Sequence, residues 1–96
     1  MRTVVEQSLV SRAIDDAKEH WPRAEDAWNT IVWVLARDPE TGRPVTESGR
    51  TRSYTLDGAR SIGMPTVTVL YEIQIFEVLV HDARFVDAKF AIPGRA

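Results

Sequence analysis

The amino-acid sequence predicts an α+β fold in which an N-terminal strand and a helical hairpin precede a three-stranded antiparallel sheet. Three observations lead to this prediction. Apolar residues recur at helical spacing between positions 9 and 37, a Trp-Pro pair interrupts that pattern, and residues alternate with period two in the segments 50–56 and 67–81. Helices followed by strands usually form two packed layers, so we expect the helical hairpin to lie on one face of the sheet.

The N-terminal residues predict a strand followed by a helix. Residues 2–7 form a short run rich in Thr and Val, which favours a strand. Ser8 is expected to cap the helix that follows, and apolar residues at helical spacing predict a helix from about Leu9 to His20. This helix should end at Trp21-Pro22, because a residue that precedes proline avoids helical geometry.

A second helix is the clearest element of the sequence. It should begin near Pro22 or Arg23, since proline is well tolerated in a first turn, and it should end at Arg37 because Pro39 cannot continue it. Two helices joined by a short break form a helical hairpin. The apolar stripe of the second helix comprises Ala24, Ala27, Trp28, Ile31 and Leu35.

Three strands are expected in the second half of the chain. The Gly, Pro and Ser content of residues 40–49 indicates an exposed loop, and residues 50–56 alternate as a strand does. Between 67 and 81 the alternation changes phase after Ile75. We therefore expect two antiparallel strands joined by a tight turn near Gln74, with one long bent strand as the alternative.

Length and composition indicate one small globular domain. The chain has 96 residues, 44% hydrophobic and 27% charged; we place the domain at 1–89 and, at 90–96, a tail that either frays or docks on a partner. No apolar run approaches the ~20 residues that span a bilayer, and the N-terminus shows no secretory signal. Cysteine is absent, which excludes disulfides and thiolate metal sites. We expect a cytoplasmic protein without membrane contact.

The charge balance argues against bulk electrostatic binding of nucleic acid. The net charge is −2 at pH 7, whereas such binding usually needs a basic face. Basic residues are nonetheless concentrated between the helices and the apolar strands, where they form either a basic patch for a partner or a solvated loop. These residues are Arg37, Arg43, Arg50, Arg52 and Arg60.

Neither a metal nor a cofactor is expected. The two histidines, His20 and His81, have no His or carboxylate at a convincing ligand spacing. The glycines do not form a phosphate-binding loop, because the Lys-Ser/Thr pair that should follow is missing.

The candidate catalytic residues are Arg60, His81 and Arg84, which lie near the predicted strand ends. A histidine can move a proton near neutral pH, and an arginine beside it can hold a phosphate. The structural alternative is a histidine that bonds backbone groups and an arginine that pairs with Asp82 or Asp87. That alternative is the commoner situation in proteins.

The candidate partner-binding residues are Arg50, Arg52 and Trp33. Alternate positions on a strand point the same way, so Arg50 and Arg52 should share a face with Tyr54. They would hold phosphates or an acidic partner, or else form the solvent side of an edge strand, where charge discourages aggregation. Trp33 lies off the centre of the helical stripe and would mark an exposed apolar contact, whereas Trp28 should be core.

Three segments carry a family resemblance. They are Leu35-Ala36-Arg37-Asp38-Pro39 with Gly42, Val69-Leu70-Tyr71-Glu72-Ile73, and Val80-His81-Asp82-Ala83-Arg84. In this order, over roughly residues 1–87, the chain resembles the RelE/ParE superfamily of type II toxins, small α+β proteins that an antitoxin neutralises. The last segment looks like the His-Gly-x-Arg ending of ParE-type members, with Asp82 in place of Gly.

The resemblance implies a toxin with a role in plasmid stabilisation, a cognate antitoxin as partner, and DNA gyrase or the ribosome as target. ParE-type members block gyrase, which requires no catalysis by the toxin. RelE-type members cleave mRNA on the ribosome and commonly carry an Arg where this chain has Val67-Thr68, and an aromatic hydroxyl after the final Arg, where it has Phe85. We therefore expect a ParE-like binding role. A ribosome-dependent ribonuclease and a non-toxic binding module of the same fold are the alternatives, and whether the chain is an enzyme stays open.

Overall fold

In the computed structural model, which describes residues 1–88, two helices pack on one face of a five-stranded sheet. The α+β class expected from the sequence is confirmed, and the predicted tail at 90–96 lies outside the described residues. In chain order the elements are β1 (Thr3–Glu6), α1 (Ser8–His20), α2 (Ala24–Arg37), β2 (Arg43–Pro44), β3 (Thr51–Leu56), β4 (Thr66–Ile73) and β5 (Glu77–Val86), with 3-10 turns at Pro39–Thr41 and Arg60–Ile62.

The sheet is mixed, with the strand order β1-β5-β4-β3-β2. The prediction of a three-stranded antiparallel sheet is wrong, because β1 joins in parallel to β5 and β2 adds a short edge next to β3. Alternation could not predict either addition. The partner of β1 lies at the other end of the chain, and the two residues of β2 are too few to show a period.

Both helices lie where the apolar periodicity predicts them, with corrections at their starts. α2 begins at Ala24, so Pro22 precedes the helix and is not part of its first turn. In α1, Ser8 is the first helical residue rather than the cap. The N-cap position belongs to Gln7, whose side chain makes no capping hydrogen bond. Gln7 still belongs to the sheet through its backbone, since its N–H donates to Val80 O at 3.3 Å, so α1 follows β1 without a loop.

The turn expected near Gln74 is confirmed. β4 ends at Ile73, β5 begins at Glu77, and the turn is closed by a hydrogen bond of 2.8 Å from Gln74 N to Glu77 O. The alternative of one long bent strand is thereby excluded. The antiparallel pairing of β4 with β5 shifts register between Leu70 and Tyr71, which marks a β-bulge.

The core lies between the two helices and the face of the sheet that they cover. Tyr71 is the largest fully buried side chain. Among residues 1–88, neither helix is long and apolar enough to cross a membrane. The buried cluster consists of Val10 and Ile14 from α1, Ala27, Trp28, Ile31 and Leu35 from α2, and Val67, Val69, Tyr71, Val78, Val80 and Ala83 from β4 and β5.

The Tyr71 hydroxyl joins the sheet to the segment that follows α2. It donates to Pro39 O at 2.6 Å and accepts from Gly42 N at 3.0 Å, and both bonds are buried. A Cβ at position 42 would collide with the Tyr71 hydroxyl and lie 2.8 Å from Ser53 O. Glycine is required there because the backbone approaches so closely.

Alkaline pH should destabilise the protein through Tyr71. Burial is the main reason why the pKa of Tyr71 is raised above its ordinary value of 10.0. Between about pH 10 and the higher pKa of the folded state, the unfolded chain has lost this proton and the folded chain has kept it. The free energy of unfolding should therefore fall as the pH rises through this range. Urea unfolding measured between pH 8 and 11 checks the slope.

Tyr71→Phe should remove the part of this slope that Tyr71 contributes. It should also lower stability at neutral pH by about 1–3 kcal/mol, since it leaves Pro39 O and Gly42 N buried without a partner. Tyr54→Phe changes the other tyrosine and is the matched control. An alkaline slope that is the same in Tyr71→Phe and in the unaltered protein would contradict this account.

Candidate functional site

The candidate site lies on the face of the sheet that the helices do not cover, here named the open face. Leu70 lies on β4, in the middle of the sheet, yet it is 37% exposed on this face. Side chains alternate between the two faces along a strand, so the neighbours of the buried residues point to the open face. The open face is formed by Ser53 and Thr55 on β3, Thr68, Leu70 and Glu72 on β4, and Leu79, His81, Asp82 and Arg84 on β5.

The bulge in β5 places two consecutive polar side chains on the open face. Tyr71 pairs with Val80 and Leu70 with Asp82, so His81 is the extra residue between them. Neighbours on a regular strand point to opposite faces, but a bulge removes that constraint. Strict alternation along the sequence would therefore assign either His81 or Asp82 to the wrong face of the sheet.

His81 is held by a carboxylate from the neighbouring strand. Its Nε2 lies 3.1 Å from Glu72 Oε1, and both side chains are about one-third exposed, at 33% and 32%. The expected structural partners were backbone groups for His81, and Asp82 or Asp87 for Arg84. Asp87 accepts instead from Trp21 Nε1 at 2.8 Å. Glu72 was missed because its contact with His81 depends on the hairpin register.

Arg84 borders a shallow depression on the open face. The depression has a volume of about 280 Å³ and is lined by Ser53, Thr68, Leu70, Asp82 and Arg84 together with Val69. Thr68 lies opposite Arg84 in the register, and its hydroxyl lies 3.0 Å from that of Thr55. The guanidinium can donate hydrogen bonds to a partner, the carboxylate can accept them, and the hydroxyls can do both.

The structure brings two of the three candidate catalytic residues to the same face. His81 and Arg84 both lie on the open face, three positions apart on β5. Arg60 begins the 3-10 turn between β3 and β4, and this turn is tied to the helix junction by a 3.0 Å bond from Arg23 N to Gly63 O. Within residues 1–88, no hydrogen bond or ion pair joins Arg60 to the other two.

Arg52 is occupied by the protein itself. Its Nε donates to Gly49 O at 2.8 Å, and its NH1 donates to Glu40 O at 3.0 Å and Gly42 O at 2.9 Å. These bonds organise the connection before β3, and the role of Arg52 in partner binding stays a prediction. Its register opposite Tyr71 directs it to the covered face rather than to solvent.

Arg50 remains exposed, beside an apolar surface that sequence reasoning missed. Ile75 and Phe76 at the tip of the β4–β5 hairpin are 79% and 83% exposed. With Arg2 and Arg50 they line a depression of about 780 Å³. The sequence does carry a signal for this surface: the apolar pair Ile75-Phe76 lies in a predicted hairpin turn, where polar residues are usual.

Trp33 is exposed, as predicted. Its exposed fraction is 60%, and the Arg37 guanidinium carbon lies 4.5 Å from its ring centroid, a cation–π contact. Asp26, Asn29 and Thr30 border the same outer surface of α2. The surface therefore presents an aromatic ring among polar groups, as contact surfaces between proteins commonly do.

These surfaces define a class of small α+β domain in which helices cover one face of a sheet and the other bears a His–Glu pair, an Asp and an Arg. Neither a scan against models of known protein families nor a search of curated proteins finds a match to the chain. Within residues 1–88, no group of three or more His, Asp or Glu side chains is arranged to hold a metal ion.

Proposed function

We propose that this chain is the toxin component of a type II toxin–antitoxin system, and that it acts by binding a cellular target such as DNA gyrase. The proposal rests on the resemblance to the RelE/ParE superfamily carried by the three segments described above. The observation that favours binding over catalysis is that Tyr54 and Arg60 do not converge on His81, since Tyr54 lies on the covered face and Arg60 in the turn before β4. The His81–Glu72 pair, with 3.1 Å between Nε2 and Oε1, then serves as part of a polar contact surface on the open face.

The rival reading as a ribonuclease requires acid–base and phosphate-binding groups to converge. Tyr54, whose hydroxyl would be the acid or base of a ribonuclease in place of His81, pairs with the buried Val69 and packs against the core, so it lies on the covered face. His81 lies on the open face, on the other side of the sheet. Arg60 is not joined to either. The arrangement of these groups therefore supports a binding role better than mRNA cleavage.

The open face is the surface proposed for the target. Arg84 is exposed there, and the hydroxyls and the carboxylate around it offer both hydrogen-bond donors and acceptors. Arginine is among the residues that contribute most to protein–protein binding, because its planar guanidinium can form several directed bonds. We assign Arg84 the main role in target binding and His81 a role in shaping the same surface.

The antitoxin is proposed to be a small protein with a helical segment that covers the outer surface of α2 and the hairpin tip. Trp33 supplies an exposed aromatic anchor, and Ile75 and Phe76 supply apolar area. Arg50 lies beside the tip and would meet acidic residues of the antitoxin. Arg52 is already bonded to backbone carbonyls, and Arg60, which is exposed, lies at the opposite end of β4 from the hairpin tip.

The test is expression in a bacterial host with and without the product of a neighbouring small gene. We expect induction of this chain alone in the cytoplasm to arrest growth. Co-expression of the neighbouring gene should restore growth. The neighbour should also co-purify with the chain, and Trp33→Ala should weaken that association. Growth that is unaffected under both conditions would leave the non-toxic binding module as the correct reading.

A further inference from the structure

β1 is an edge strand whose outward backbone groups meet no other strand among residues 1–88. Thr3 N donates to Phe76 O and Gln7 N to Val80 O, so the odd-numbered residues direct their backbone groups toward β5. The N–H and C=O groups of Val4 and Glu6 consequently point away from the sheet. Arg2 N, which points the same way, is already bonded to Ala36 O at 3.0 Å.

The opposite edge of the sheet is protected only where β2 lies on it. β2 has two residues, and one of them is Pro44, which has no N–H to offer. β3 extends past β2, and there Thr55 presents its backbone groups outward. β1 (Thr-Val-Val-Glu) has neither a proline nor a bulge, and Glu6 is its only charged side chain. A strand of this kind accepts another strand.

We propose that β1 pairs with β1 of a second copy of this chain, antiparallel across a two-fold axis, so that two five-stranded sheets become continuous. The register follows from the groups available. Pairing Val4 with Glu6 of the second copy uses both outward residues on each side. Pairing Val4 with itself would call on the Arg2 N–H, which Ala36 already holds, and pairing Glu6 with itself would oppose two carboxylates.

This register also covers apolar side chains. It places the two copies of Val5, which is half-buried, directly opposite each other at the two-fold axis. A contact built on so short a strand falls below the ~1,200 Å² of a standard interface, so the dimer should be weak and depend on concentration.

The test is sedimentation velocity of the purified full chain over a series of concentrations. We expect the sedimentation coefficient to rise from the monomer toward the dimer value. Val4→Pro removes an outward N–H that the sheet itself does not use, and Val5→Lys opposes two ammonium groups at the axis. Each should weaken dimerisation at least about tenfold. Thr55→Pro is the matched control, because it removes an outward N–H from the other edge and should leave the dimer unchanged.

Circular dichroism shows whether each variant remains folded, and Val5→Lys decides the matter if Val4→Pro does not fold, since it alters only a side chain. A chain that stays monomeric at every concentration would overturn the proposal. A dimer that both substitutions leave intact would overturn it as well, because the interface would then lie elsewhere. The proposal does not depend on the chain being a toxin, since neither His81 nor Arg84 takes part.

Discussion

Trp28→Ala should cost about 3–5 kcal/mol of stability, which is a large part of the 5–15 kcal/mol that a small domain possesses. Trp28 is 6% exposed, and its ring lies 6.4 Å from that of Phe85, centroid to centroid. Its Nε1 donates to Glu6 Oε2 at 3.2 Å, which ties α2 to β1. Truncation would open a cavity between the helices and the sheet and leave that carboxylate without this donor.

Trp33→Ala provides the matched control, because it removes the same side chain from the same helix. Trp33 is 60% exposed and contacts Arg37, so its loss should cost less than about 1 kcal/mol. Urea unfolding followed by circular dichroism compares the two variants without relying on tryptophan fluorescence. Equal losses in the two variants would show that α2 does not pack on the sheet through the stripe that contains Trp28.

Arg84→Ala should abolish growth arrest while leaving the fold intact. If Arg84 is the principal contact with the target, its truncation should weaken binding by about 2 kcal/mol or more, roughly 30-fold. Its side chain is exposed, so stability should change by no more than about 0.5 kcal/mol. Growth after induction and the urea midpoint measure the two effects separately.

Arg12→Ala is the control for the loss of one exposed positive charge. Arg12 is also exposed, but it lies on α1, away from the open face. The substitution should leave growth arrest unchanged. If Arg84→Ala arrests growth as fully as the unaltered chain, the open face is not the target-binding surface. If neither variant nor the unaltered chain arrests growth, the proposal that the chain is a toxin is wrong.

Local patterns predicted the helices and the β4–β5 hairpin because their signals lie within single segments. The stripe of α2 and the alternation of Val67, Val69 and Tyr71 each report burial on one face, and the structure confirms both. The addition of β1 to β5 could not be predicted in this way. It depends on pairing between Thr3 and Glu77, at opposite ends of the chain, and no local pattern encodes that.

The site was less predictable than the fold, for reasons of register. The His81–Glu72 contact requires knowledge of which residues of β4 and β5 lie opposite each other and of where the bulge falls. The role of Arg52 requires knowledge that Tyr71 lies opposite it, which turns the guanidinium toward the backbone carbonyls before β3. The exposure of Trp33 was predictable because it follows from helical geometry alone.

The central claim is that the chain acts by binding a target such as gyrase and not by cutting RNA. The most direct measurement is a paired one in cells whose growth the chain has arrested: the supercoiling of a reporter plasmid and primer extension on abundant transcripts. We expect relaxed plasmid DNA and intact transcripts, and we expect Arg84→Ala to restore supercoiling. Normally supercoiled plasmid together with transcripts cut at defined positions would contradict the claim and establish the ribonuclease reading.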